Sequence, residues 1–123
     1  MLFFDLFRQD PHIAEFSAGQ TLCREGEPGT VMYVLLSGRA EIRSGSMLLE
    51  EVGVGDIVGE MGVLDGIPRI ATVTALTDCT AAAVDQQRFQ FLVESNPRFA
   101  LDVMQVLAQR LRQCDTRLRQ VAS

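Results

Sequence analysis

Histidine is nearly absent from this chain of 123 residues, which carries only His12. A metal centre of clustered imidazoles, or a nucleophile activated by one imidazole and oriented by a third group, needs partners that a single histidine does not supply. Catalysis is therefore not expected, and no cofactor and no metal is assigned. Lysine is missing altogether: all eleven basic residues are arginine, set against sixteen acidic ones. The net charge of −5 argues against direct binding to nucleic acid through a basic surface. Arg110, Arg112, Arg117 and Arg119 lie among polar positions of a C-terminal helix and read as a solvated face rather than a DNA stripe.

Cysteine is sparse too. Cys23, Cys79 and Cys114 are far apart and form no Cys-x-x-Cys pair, so neither a zinc knuckle nor a disulfide framework is indicated, and a reducing cytoplasm is the expected compartment. No long apolar run is present. The segment Met1 to Arg8 is hydrophobic but short and broken by Asp5, which excludes a signal peptide and a membrane span. It reads instead as a first helix whose phenylalanines pack on the body of a soluble protein.

What is present supports one globular domain over 1–123, since 47 % of the residues are hydrophobic and the length suits a single core. From Ile13 to Val84, β-prone runs such as Val31 to Leu36, Arg39 to Arg43, Met47 to Val52, Ile70 to Leu76 and Thr80 to Val84 alternate with turn signals. Those signals are Gly26-Glu27-Pro28-Gly29, Ser37-Gly38, Ser44-Gly45-Ser46 and Gly53-Val54-Gly55-Asp56. The spacing predicts a mainly β fold: an antiparallel β-roll over 13–84, jelly-roll-like, flanked by an N-terminal helical segment (1–12) and C-terminal α-helices (85–123). Asp85 is placed to cap a helix carrying Phe89, Leu92 and Val93, and Asn96-Pro97 separates it from a second helix running from about Arg98 toward Val121. In that second helix Met104, Leu107, Leu111, Cys114, Leu118 and Val121 recur at alternating spacings of three and four. The stripe either covers the domain's own roll or, as is favoured here, pairs two copies in a homodimer.

The run Gly59-Glu60-Met61-Gly62, followed by Pro68-Arg69-Ile70-Ala71-Thr72 with the arginine nine residues after the glutamate, holds the residues of chemical interest. One glycine-flanked carboxylate can accept from a sugar hydroxyl, one arginine can fork onto a phosphate, and small residues let backbone N–H groups approach an anion. Glycine at the mouth of a short helix adds unpaired N–H donors there. Without its surroundings, Glu60 would read as a surface carboxylate paired with Arg69.

The segment Val58 to Thr72 resembles the phosphate-binding cassette of the cyclic-nucleotide-binding domain family. The likeness extends to the hairpin Met32 to Ile42 upstream and to Asn96-Pro97 downstream, as in the Crp/Fnr branch, without that branch's iron–sulfur cysteine cluster. The chain ends at Ser123, before a helix-turn-helix domain could begin, so the likeness is to the sensor part alone.

The resemblance implies that Glu60 accepts the ribose 2′-hydroxyl and Arg69 grips the exocyclic phosphate oxygens. Gly59, Met61, Gly62 and Ala71 would act through backbone N–H groups. Thr72 is a weaker candidate, because strand propensity alone accounts for it. In cGMP-selective relatives the residue after the arginine often carries a hydroxyl; here it is Ile70, which tilts the expected ligand toward cAMP, with cGMP second. An ungapped alignment places Cys114 and Asp115 where catabolite activator protein reads adenine from its dimer helices, and Asp115 either accepts from the adenine amino group or faces water. Val58 replaces the usual aromatic. The expected function is a cyclic-nucleotide sensor that signals through its C-terminal helices, whether as a stand-alone sensor, as a subunit acting through an unidentified effector protein, or as the ligand-binding part of a longer regulator. The alternative is an orphan of the same fold that dimerises or docks a partner without nucleotide.

Overall fold

β-branched and apolar residues at alternate positions favour pleated, half-buried segments. Among the described residues they form β1 (Ile13–Phe16), β2 (Thr21–Cys23), β3 (Met32–Ser37), β4 (Ala40–Ser44), β5 (Met47–Val52), β6 (Ile57–Val58), β7 (Thr72–Ala75) and β8 (Cys79–Val84). The computed structural model describes residues 3–122, and the side chains of all of these except 115 and 117–122. The strands pair antiparallel in two sheets, ordered β1-β8-β3-β6 and β2-β7-β4-β5. The expected β-roll is the observed fold.

The core lies between the two sheets. Leu35 of β3, Val58 of β6 and Ala81 of β8 meet Leu22, Val52 and Val73 of the other sheet, with Phe16, Tyr33 and Ile42 packed at the margin. The opposite face of β3 is also buried: Met32 and Val34 have no exposed surface. Helix α1 (Phe4–Phe7) packs against this strand, and Phe3 and Phe7 are buried as the sequence led us to expect. Each such side chain contributes about 1.5–3 kcal/mol by leaving water. Helix formation stops much earlier than residue 12, because Asp10 folds back to accept the His12 N–H at 2.7 Å and its own N–H donates to Phe7 O.

Between β6 and β7 lies α2 (Glu60–Asp65), one and a half turns that could not persist alone. Gly59 precedes it at φ +77°, and Gly66 ends it at φ +71° by donating its N–H to Gly62 O at 3.0 Å. Contact of α2 with β3 supplies the support that propensity does not.

Helix α3 (Gln86–Ser95) starts where predicted, with Asp85 Oδ1 accepting the Arg88 N–H at 2.8 Å. Helix α4 (Pro97–Ala122) begins one residue earlier than expected, since proline at the first helical position forfeits no intrahelical bond. By internal contacts the chain divides into two units, 1–89 and 90–123. In the second unit Phe99 and Val103 are buried, whereas Met104, Leu111 and Cys114 of the predicted stripe are exposed. The Leu118 and Val121 side chains lie outside the described residues.

Candidate functional site

The cassette forms one side of the roll where β6 runs into α2 and where the chain returns to β7. Its arginine is held at both main chain and side chain. The Arg69 N–H donates to Glu27 O at 3.0 Å and its carbonyl accepts from the Gly26 N–H at 2.8 Å, so the loop 24–29 extends the β2–β7 pairing. Three residues after Arg69, Thr72 Oγ1 accepts the Glu25 N–H at 3.0 Å. Thr72 thus ties this loop to β7, a role that strand propensity did not foreshadow.

The guanidinium donates from Nη2 to Val31 O at 2.6 Å and from Nη1 to Gly59 O at 3.0 Å. Val31 leads into β3 and Gly59 follows β6, and these strands are adjacent through the Tyr33–Val58 and Val34–Ile57 register. A guanidinium has five N–H donors, so two fixed ones leave others for an anion. Three glycines surround it. A side chain at Gly59 would place Cβ 2.6 Å from Arg69 Nη1, and one at Gly62 would strike Gly29 O and lie 3.0 Å from Nη1. At Gly29 it would strike Nε and come within 2.5 Å of Cζ.

Glu60 is only 4 % exposed, which rules out a surface carboxylate. Both its charge and that of Arg69 reach Cys23 on β2. Burial pushes the Cys23 thiol up to about 11, with Arg69 opposing and Glu60 reinforcing the shift. Tyr33 is raised likewise by burial and by Cys23, again against the pull of Arg69. The fold therefore brings Gly59, Glu60, Gly62 and Arg69 together, with Ala71 buried beside them in sequence.

Met61 and Ile70 are 40 % and 58 % exposed and present apolar surface to solvent. Cys114 is exposed on α4 within the 90–123 unit, and the Asp115 side chain lies outside the described residues. Sequence reasoning missed Gly29, Val31, Cys23 and Tyr33. Val31 acts through its carbonyl, which no side-chain pattern reveals, and Gly29 was read only as a turn residue. Among the described residues no group of three His, Cys, Asp or Glu is arranged to hold a metal ion, and no helix is long and apolar enough to cross a membrane.

Residues 13–96 match the family model of the cyclic nucleotide-binding domain. A CRP-like cAMP-activated global transcriptional regulator of Mycobacterium tuberculosis is 30 % identical over 109 residues, covering 85 % of this chain and 49 % of the regulator. A cyclic nucleotide-gated potassium channel of Rhizobium etli is 33 % identical over 93 residues, covering 76 % of this chain and 26 % of the channel. The crystal structure of the Thermus thermophilus catabolite activator protein superposes with a TM-score of 0.82 at 26 % identity, covering 90 % of this chain and 55 % of that one. The chain thus spans about half the length of the regulator it matches, 49 %.

Proposed function

Because this chain belongs to the cyclic nucleotide-binding domain family, we propose that it is a sensor for a cyclic purine nucleotide, cAMP in preference to cGMP. The observation that carries this reading is the pairing of a buried carboxylate, Glu60, with an arginine fixed by two backbone carbonyls in a space kept open by glycines. Glu60 would accept the ribose 2′-hydroxyl, Arg69 would bind the exocyclic phosphate oxygens, and the backbone around Gly59, Met61, Gly62 and Ala71 would complete the cradle. The preference for adenine rests on Ile70, exposed and without a hydrogen-bonding group in its side chain, with Cys114 and Asp115 as candidate base contacts. The work of the site is binding rather than catalysis.

A ligand moves a conformational equilibrium only by its differential affinity for the two states. The proposed output is a displacement of the helices after Val84, read by an effector protein in the cytoplasm. The exposed Met104, Leu111 and Cys114 on α4 favour a homodimer formed along that helix.

Isothermal titration with cAMP and cGMP tests the reading. Saturable binding of cAMP that is tighter than that of cGMP, weakened ten- to a hundredfold by Arg69→Ala, is the expected result. A second reading is favoured by the two carbonyl bonds of Arg69, which would serve equally to staple β3 to α2 in an orphan docking protein. Folded protein giving no heat with either nucleotide at high micromolar concentration would select that second reading.

A further inference from the structure

We infer that Gly29, outside the cassette, is a positioning residue of the site: its missing side chain is the space in which the Arg69 guanidinium lies. This rests on the reading of Arg69 as the phosphate contact. Gly29 does not have a positive φ, so its backbone is open to any residue and the need for glycine there is one of room. A Cβ at this position would strike Arg69 Nε and stand 2.5 Å from Cζ and 2.6 Å from Nη2. Real carbon atoms do not approach so closely, so the guanidinium would have to leave.

Where it would leave from matters. Arg69 Nη2 donates to Val31 O, two residues after Gly29, and Nη1 donates to Gly59 O. A group displaced from the Gly29 side loses the alignment of both bonds. The other two glycines of the cage do not isolate this effect. Gly59 is strained by any side chain at φ +77°, and a Cβ on Gly62 meets the carbonyl oxygen of Gly29, which is backbone. At Gly29 all three nearest atoms belong to the Arg69 side chain. A substitution there acts on the arginine and spares the chain that carries it.

The loop around Gly29 keeps its other ties when the side chain changes. Gly26 N–H to Arg69 O, Arg69 N–H to Glu27 O and Glu25 N–H to Thr72 Oγ1 involve no side-chain atom of residue 29. Gly29→Ala and Gly29→Val are therefore expected to fold, with valine displacing the guanidinium further than alanine.

The test has two arms. In the nucleotide-free protein, nitrogen-15 NMR of the arginine side chains follows the Nε and Nη signals of Arg69, assigned by their loss in Arg69→Ala. Two carbonyl bonds restrict rotation about Nε–Cζ, so the wild type is expected to show separate Nη signals that Gly29→Val averages into one. In the second arm, titration with cAMP is expected to show at least a tenfold loss of affinity in Gly29→Val and a smaller loss in Gly29→Ala, at unchanged circular dichroism. Folded variants with unaltered Arg69 signals and cAMP affinity within twofold of wild type would overturn the inference. So would failure of both variants to fold, because the Cβ would then be disturbing the loop and not the guanidinium. If the wild type binds no cAMP while the Arg69 signals still respond to residue 29, the sensor reading fails and the positioning role stands.

Discussion

Glu60 and Cys23 show how much one residue's surroundings decide. A carboxylate 4 % exposed keeps its place only through partners, and in the proposed complex the ribose 2′-hydroxyl becomes one of them. Glu60→Gln is expected to weaken cAMP about tenfold or more, the loss of a charge-assisted hydrogen bond, while leaving binding of 2′-deoxy-cAMP nearly unchanged. Paired titrations of the two nucleotides measure this directly, and equal losses for both would place the carboxylate elsewhere. Cys23 lies buried with its thiol pushed up to about 11, so it stays protonated and unreactive at neutral pH. Its folded value lies above its ordinary 9.0, so the stability it contributes is complete below pH 9 and disappears as pH rises toward 11. Thermal melts across that interval should fall less steeply for Cys23→Ala than for wild type. Alkylation at neutral pH should mark exposed Cys114 and spare Cys23 and Cys79 until the chain unfolds.

At the scale of elements, the first turn of α3 is tied to the N-terminal segment. Arg88 Nη2 pairs with Asp10 Oδ2, whose side chain is fully buried, and the same guanidinium lies over the Phe7 ring at 5.6 Å. Burial alone would raise the Asp10 carboxyl, but the hydrogen bonds from Arg88 and the His12 backbone and the Arg88 charge hold it below its ordinary 3.8. With the folded value depressed, the stability of this pair is present above pH 3.8 and is lost as pH falls through the lower folded value. Arg88→Ala should cost roughly 3 kcal/mol at neutral pH, since it leaves a buried carboxylate without its counter-charge. Chemical denaturation at pH 7 and pH 3 checks this, the difference from wild type shrinking in acid. The β3–β4 turn offers a second case. Gly38 sits at φ +86° with Asp78 O where a Cβ would stand, so Gly38→Ala is expected to destabilise by about 1–3 kcal/mol. Both turns and strands were legible in the sequence, because glycine punctuation and β-branched runs act locally. The Asp10–Arg88 pair was not, because 78 residues separate its members and neither has a local signature.

For the whole molecule the proposed ligand is a stability term. At a hundred times its Kd, cAMP should add about 2.7 kcal/mol, a rise of several degrees in Tm for a domain of this size. Arg69→Ala should abolish most of that rise, and should also lower the unliganded Tm by a few degrees, because the carbonyls of Val31 and Gly59 lose their donors. Sedimentation velocity tests the helix pairing: a homodimer is expected, made concentration-dependent by Leu111→Glu on the exposed face of α4, whereas a monomer at every concentration would remove it. The stripe's period was plain in the sequence. That Met104 and Leu111 remain exposed at 60 % and 71 % was not, because the same period serves a core-facing helix and a partner-facing one.

The sequence by itself determined the roll, its flanking helices and the order of the cassette residues, since strand alternation, helix caps and the Gly59-Glu60 to Arg69-Ile70 spacing are written in consecutive or nearly consecutive residues. Only the tertiary structure decided how Arg69 is held. Its partners are the carbonyls of Val31 and Gly59 and the empty side of Gly29, and a backbone oxygen or an absent side chain leaves no trace in residue type. Strand pairing brings them to the arginine from 38 and 10 positions away, a distance along the chain that no local pattern encodes.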